Sequence, residues 1–233
     1  MLLNLDNKDV EFIETRYSTL KILQKDPLRI AGILKFYAKF QEIEMRDEYE
    51  IEIESLEGRV FPRIRETGNK IANTAQSKGK LLEDMHINTS DASAVCLCPP
   101  IEEKLYEKQA ISVRQFIEKY IVPFFYEQSY FRENGEWPWG EYGHGIIGVL
   151  ESYLDYVDNE ETIRIFLRVL EEYCVKYGVN FNFYREQLKQ RQIKGRNACP
   201  VCKSSKRWEK CHAKTLEAIR KLRNDLESFK IKV

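Results

Sequence analysis

The chain has 233 residues, enough to bury one good core with a small appendage, and its 43% hydrophobic and 12% aromatic content is that of a folded globular protein rather than a disordered one. Lys plus Arg number 37 and Asp plus Glu number 37, so the overall charge gives no electrostatic case for nucleic acid or a membrane surface, and any basic patch must be local. No uncharged apolar run of about 18 residues is present, and MLLNLDNKDVEF has Asp6, Asp9 and Glu11 where a signal peptide needs positive charge, so we expect a cytoplasmic protein whose six cysteines serve metal or chemistry instead of disulfides.

Val10, Ile13, Tyr17 and Leu20 recur at helical spacing behind Asp9, which predicts a first helix over 10–23 with Asp9 as N-cap. ILKFYAKFQEIEM, EYEIEIES and GRVFPRIRE then alternate with period two and predict an antiparallel meander with one wet face. Residues 67–100 are polar and weakly periodic, with one more strand expected near Leu81 and Leu82. From Ser112 the period becomes helical, through ISVRQFIEKYIVPFFYEQSYF with a break or kink at Pro123, and on through IIGVLESYLDYV and ETIRIFLRVLEEYCVKY. Residues 178–197 read as a polar linker, and a Cys/His module leads into a final helix, roughly Ala213 to Phe229.

The loop HINTSDASAVCLCPP, His86 to Pro100, raises the functional question. Its Ser, Thr, Asn and Asp content places it at the surface, where Cys96 or Cys98 is a nucleophile, a metal ligand or filler. Cys174 sits in an apolar helical stripe and reads as core.

His86-Ile87-Asn88 followed after seven residues by Cys96-Leu97 resembles the signature of the ubiquitin-conjugating (UBC) family, His-Pro-Asn and then Cys-Leu, with Ile87 in place of the usual Pro. The element order resembles that family too, over roughly residues 10–157. The chain is most similar to its bacterial branch, found in anti-phage and ubiquitin-like conjugation operons, through Trp137-Pro138 and Gly140-Glu141-Tyr142-Gly143-His144-Gly145. The resemblance implies that Cys96 accepts a protein C-terminal glycine as a thioester and passes it to an amine, and that Asn88 donates a hydrogen bond to the oxyanion. A lysine ammonium, of pKa about 10.4, needs help losing its proton, and His144, or Glu141 beside it, serves as base if the fold brings that loop to Cys96. His86 either acts directly or braces the loop, Cys98 reads as a neighbour, and Trp137 and Trp139 read as packing or partner contacts.

The C-terminal GRNACPVCKSSKRWEKCH is a separate signal. Cys199-x-x-Cys202, eight residues, then Cys211-His212 supplies four N/S ligands to a segment too small to build its own core, as a structural zinc site requires, and four ligands leave no open catalytic position. The stretch resembles the SEC-C motif of bacterial translocase tails, including the aromatic Trp208 three residues before the third Cys, although C-x2-C replaces the usual C-x-C. Lys203, Lys206, Arg207 and Lys210 make the module locally basic, which suits an acidic protein surface, RNA or simple solvation.

The expectation is therefore an α+β protein: a UBC-like catalytic domain over 1–177 (N-terminal helix, antiparallel meander sheet, active-site loop, C-terminal helices), a linker over 178–197, and a zinc module with its helix over 198–233. The expected function is a thioester-forming transferase. Its donor is a ubiquitin-like protein or the C-terminus of a cyclic-oligonucleotide synthase, with partners supplying activation. The alternatives are a cysteine hydrolase using Cys96 and His144, or a non-catalytic UBC-like adaptor docking through its zinc module.

Overall fold

The computed structural model describes residues 3–106, 111–157, 159–202 and 204–232; Lys203, one of the module's cations, lies outside them. It is α+β, with an antiparallel sheet and helices. Among the described residues no helix is long and apolar enough to cross a membrane.

The first helix is shorter than its periodicity predicts. α1 (Asn7–Arg16) is capped by Asp6, not Asp9: Asp9 N–H donates to Asp6 Oδ1 at 2.7 Å and Asp6 N–H to Asp9 Oδ2 at 3.2 Å, a reciprocal capping box. Asp9 is fully buried and also accepts the Arg114 N–H at 3.0 Å, so its carboxylate ties two segments together. Leu20, placed on the same helical stripe by its spacing, begins a strand instead.

That strand, β2 (Leu20–Lys25), opens a meander with β3 (Leu28–Phe40), β4 (Ile43–Glu54) and β5 (Arg63–Glu66), all antiparallel. The β3–β4 register runs from Arg29 opposite Glu54 to Phe40 opposite Ile43, so the hairpin turns at Gln41-Glu42 and not after Met45 as the sequence suggested. Gln41 adopts a left-handed φ of 52°, the role Gly or Asn normally fills. Alternation decides the faces: Leu34, Phe36, Met45, Tyr49, Ile51, Ile53 and Ile64 are buried, while Glu48, Glu50 and Lys35 are not.

The strand expected near Leu81 is absent. In its place α2 (Lys70–Lys78) is followed by a 3₁₀ turn over Glu83–Met85 and by two short strands, β6 (Ile87–Asn88) and β7 (Ala94–Val95). β7 joins the sheet through Arg65 opposite Ala94, giving the order β2-β3-β4-β5-β7-β6, and the loop containing Cys96 leaves from that end. Next come α3 (Pro100–Tyr106), β8 (Ile111–Ser112), which pairs in parallel with β1 (Leu3–Asn4), and α4 (Val113–Phe116). A π-helical turn over Ile117–Ile121 precedes α5 (Val122–Asn134). The wide turn accommodates Pro123, which has no N–H and crowds the carbonyl one turn back.

The chain divides into two compact units, Met1–Cys98 with Tyr106–Gly140 and Pro99–Leu105 with Glu141–Val233. In the first, the buried sheet face packs on Ile13 and Tyr17 of α1 and on Phe116, Ile117, Tyr120, Ile121, Phe124 and Phe125. The second is helical: α6 (Ile146–Tyr156), α7 (Glu160–Lys176), α8 (Phe181–Lys189), α9 (Trp208–Cys211) and α10 (Ala213–Ser228). α8 occupies the stretch read as a linker, held by buried Tyr184 and Leu188. Trp208, Leu216, Ile219 and Leu222 of the Cys/His segment share one core with Val149, Leu150, Phe166 and Leu170, so the expected boundaries at 177 and 197 fall inside this unit.

Candidate functional site

The spacing between His86 and Cys96 is that of a hairpin. Ile87 pairs with Val95 and Asn88 with Ala94, and the next step outward is closed by the Cys96 N–H donating to the His86 carbonyl at 2.8 Å. Ile87 and Val95 are buried and anchor this hairpin in the first unit's core, whereas Cys96 is exposed. Cys98 is half-buried and packs against that core, as does Leu97. Of the two neighbouring thiols, Cys96 is the more fully presented to solvent.

The loop closing the hairpin is tightly tied. Asp91 N–H donates to the Asn88 carbonyl at 3.1 Å, Ala94 N–H to the Asp91 carbonyl at 3.0 Å, and the Asp91 carboxylate meets Arg59 at 2.6 Å. Thr89 is hydrogen-bonded to Glu83. Ala92 and Ser93 both hold left-handed φ values, 49° and 57°, a strained conformation that these ties maintain. Ser90 Oγ donates to Asn88 Oδ1 at 2.7 Å. That bond fixes the amide and leaves its Nδ2 end as the donor, the polarity a developing oxyanion requires.

His86 is half-buried with φ 57°, and its ring meets Trp137 edge-on at 5.0 Å. Trp137 in turn stacks on Phe131 of α5 at 4.4 Å. Trp137 therefore braces the hairpin, a contact across fifty-one positions of sequence that no local pattern could reveal. Trp139 joins Phe40 and Tyr126 at 4.5 and 5.6 Å.

Glu141 and His144 belong to the second unit, whereas Cys96, His86 and Asn88 belong to the first. Both are solvent-accessible on the segment entering α6, and His144 Nε2 lies 3.9 Å from Glu141 Oε1. The glycines of this segment have a structural cause: a Cβ on Gly148 would lie 1.9 Å from the Gly143 carbonyl oxygen, and the Gly143 N–H donates to Glu151 at 2.8 Å.

Cys199, Cys202, Cys211 and His212 converge, their ligand atoms all within 4.8 Å of one another, and can hold a metal ion. Cys199 Sγ is 3.3 Å from His212 Nδ1, and Cys202 Sγ is 3.3 Å from Cys211 Sγ. A tetrahedral ion with bonds of about 2.0–2.3 Å needs ligand separations of roughly 3.3–3.8 Å, which these two pairs meet, and a small inward movement of the others completes the set. A two-stranded turn supplies the first pair: Ala198 bridges Arg207, Cys199 N–H donates to the Lys206 carbonyl at 2.9 Å, and Trp208 N–H to the Asn197 carbonyl at 2.9 Å. The last residue of α9, Cys211, and the His212 that caps it supply the second pair, and Trp208 underneath donates from Nε1 to Thr215 Oγ1 at 2.8 Å.

Ser204, overlooked in the sequence, lies 3.2 Å from Cys202 Sγ and 3.5 Å from Cys211 Sγ; its hydroxyl is the main cause holding the Cys202 thiol down to about 6, while burial pushes Cys199 up. Cys174 is fully buried among α7 and α8 residues, and burial raises its thiol to about 11, in keeping with a core role. No protein-family model, curated protein or solved structure matches the chain, so the functional reading rests on the residues themselves.

Proposed function

We propose that the protein is a UBC-like transferase that carries a protein C-terminal glycine as a thioester on Cys96. The observation that carries the reading is the pairing of an exposed Cys96 with His86 across a core-anchored hairpin that also holds Asn88. In the first step the Cys96 thiolate attacks the carbonyl carbon of the donor's activated C-terminus, a thioester on an activating partner, and expels that partner's thiolate. In the second, an acceptor amine attacks the new thioester, Asn88 Nδ2 hydrogen-bonds the tetrahedral oxyanion, the Cys96 sulfur leaves, and the amine's proton passes to a base. His144 with Glu141 is the proposed base. The proposed donors are a ubiquitin-like protein or a cyclic-oligonucleotide synthase C-terminus in a bacterial anti-phage or conjugation operon, and the proposed compartment is the cytoplasm.

The ion proposed for Cys199, Cys202, Cys211 and His212 is zinc, in a structural role. Three sulfurs and one imidazole are a soft donor set that favours it, and a fourth protein ligand closes the coordination sphere to substrate. Zinc would lend this site cross-linking of the two-stranded turn at Ala198–Arg207 to the end of α9 and no chemistry on the acyl group.

Charging with a defined donor and its activating enzyme tests the proposal. Cys96→Ala should form no adduct, Cys96→Ser should trap an oxyester stable to thiols, and Cys98→Ala should charge. His144→Ala or Glu141→Ala should charge normally but transfer roughly 10²-fold more slowly. Charging by Cys96→Ala together with failure of Cys98→Ala overturns the assignment, and release of free donor without a reducible adduct points to the hydrolase.

A further inference from the structure

From Arg185 to Lys214 the chain carries ten Lys and Arg against two acids, Glu186 and Glu209, a net charge of +8. Since the whole chain balances 37 against 37, the remainder carries −8. Folding gathers the positive charge. The Ala198–Arg207 bridge, the Cys199–Lys206 hydrogen bond and the bond from Glu209 N–H to the Gly195 carbonyl at 3.0 Å wrap Lys194, Arg196, Lys206, Arg207 and Lys210 around one small knuckle. Lys214 follows in the first turn of α10. Gly195 permits this closure, because a Cβ there would lie 2.7 Å from Leu216 Cδ2. All six cations are exposed, and among the described residues the one carboxylate within ion-pair range of any of them is Glu209, 4.0 Å from Arg207. Three thiolates with a divalent ion leave a net charge of only −1 at the metal centre, too little to cancel the excess.

We propose that this knuckle binds the phosphate backbone of nucleic acid, a function separate from acyl transfer and independent of it. The choice among polyanions follows from what the surface lacks. Among the described residues from 181 to 228 no large hydrophobic side chain is exposed. Protein partners seat aromatic or aliphatic anchors at the centre of an interface, and a membrane-bound helix inserts an apolar face. Phosphate-backbone binding needs neither, because its free energy comes from releasing condensed counterions. The exposed amides of Gln190, Gln192 and Asn197 add hydrogen-bonding groups of the kind that position a sugar-phosphate chain without reading its bases.

The test is fluorescence anisotropy of the full chain with a labelled 30-nucleotide single-stranded RNA at 50 and 200 mM salt. Neutralising about five phosphates gives a slope near −3.5 in log affinity against log salt, a loss of about 10²-fold over that range. The triple variant Lys206→Gln, Arg207→Gln, Lys210→Gln, shown by metal content and circular dichroism to be folded, should bind more weakly and lose less than about tenfold over the same range. Lys21→Gln, Lys25→Gln, Lys35→Gln, which removes three exposed cations of the first unit, should bind as the wild type does. No binding at 50 mM salt, an unchanged slope in the knuckle variant, or tighter binding to polyglutamate or phosphatidylglycerol vesicles than to RNA would each overturn the proposal.

Discussion

The Cys96 N–H donates to the His86 carbonyl at 2.8 Å, so the backbones of the two residues are locked opposite each other while the His86 ring is turned to Trp137, 5.0 Å away. This separates what the backbone of His86 does from what its ring does. The backbone sets the position of the thiol; the ring contacts Trp137.

A packing role for the ring predicts tolerance. Asn accepts the left-handed φ of 57° that His86 adopts, so His86→Asn should remain folded and charge within a few-fold of wild type. Loss of about 10²-fold in charging, the scale of a missing general base, would show that the imidazole takes part in the chemistry.

Trp137 should behave as a positioning residue. Trp137→Ala removes both the stack on Phe131 and the edge contact to His86, and truncating a half-buried aromatic should cost about 2 kcal/mol. Charging should slow while the Cys96 thiol still reacts with a small alkylating agent. Trp137→Phe should restore most of the charging rate, and equal charging by all three proteins would remove Trp137 from this role.

Asp47 supplies an acid-sensitive tie in the first unit. Burial acts to raise its carboxyl, but hydrogen bonds from Lys70, Ser129, the Glu48 N–H and Arg132 outweigh it and hold the group at about 2. A folded pKa below the unfolded value of about 3.9 gives stability that is fully present above pH 4 and lost as pH falls toward 2. Asp47→Asn should therefore be less stable than wild type at pH 7, by about 2 kcal/mol for a shift of this size, with the gap closing by pH 2. A gap independent of pH would mean that packing, not charge, is at stake.

Metal removal should reach beyond the Cys/His segment. Trp208, Leu216 and Ile219 share a core with Val149, Phe166 and Leu170, so stripping the proposed zinc should abolish amide protection across α6 to α10. The sheet of the first unit should keep its protection, because its core is built from other residues. Zinc loss with protection of the second unit unchanged would contradict this, as would a disulfide-linked tail that never held metal.

Much of the fold is legible where burial follows a clean period. The second half of β4 reads directly, because Tyr49, Ile51 and Ile53 alternate with acids, and α7 reads through its full-length stripe. α8 is hidden because only Tyr184 and Leu188 of nine residues are buried. β2 is hidden because Leu20 continues the helical spacing of Ile13 and Tyr17 after the helix has ended at Arg16. The four residues that can hold a metal ion are legible because both pairs are local in sequence. The bracing of His86 by Trp137 is not, since a contact between two loops leaves no period.

The most direct test maps the thioester in the wild-type protein. The chain, isolated from its host under acidic, non-reducing conditions and digested with trypsin, releases Leu81–Lys104, a peptide containing both Cys96 and Cys98. Fragmentation should place a residual glycine-ended donor peptide on Cys96, removed by hydroxylamine or dithiothreitol. The same remnant on Cys98, or an unmodified peptide from cells in which Cys96→Ser also yields no oxyester, would contradict the role given to Cys96.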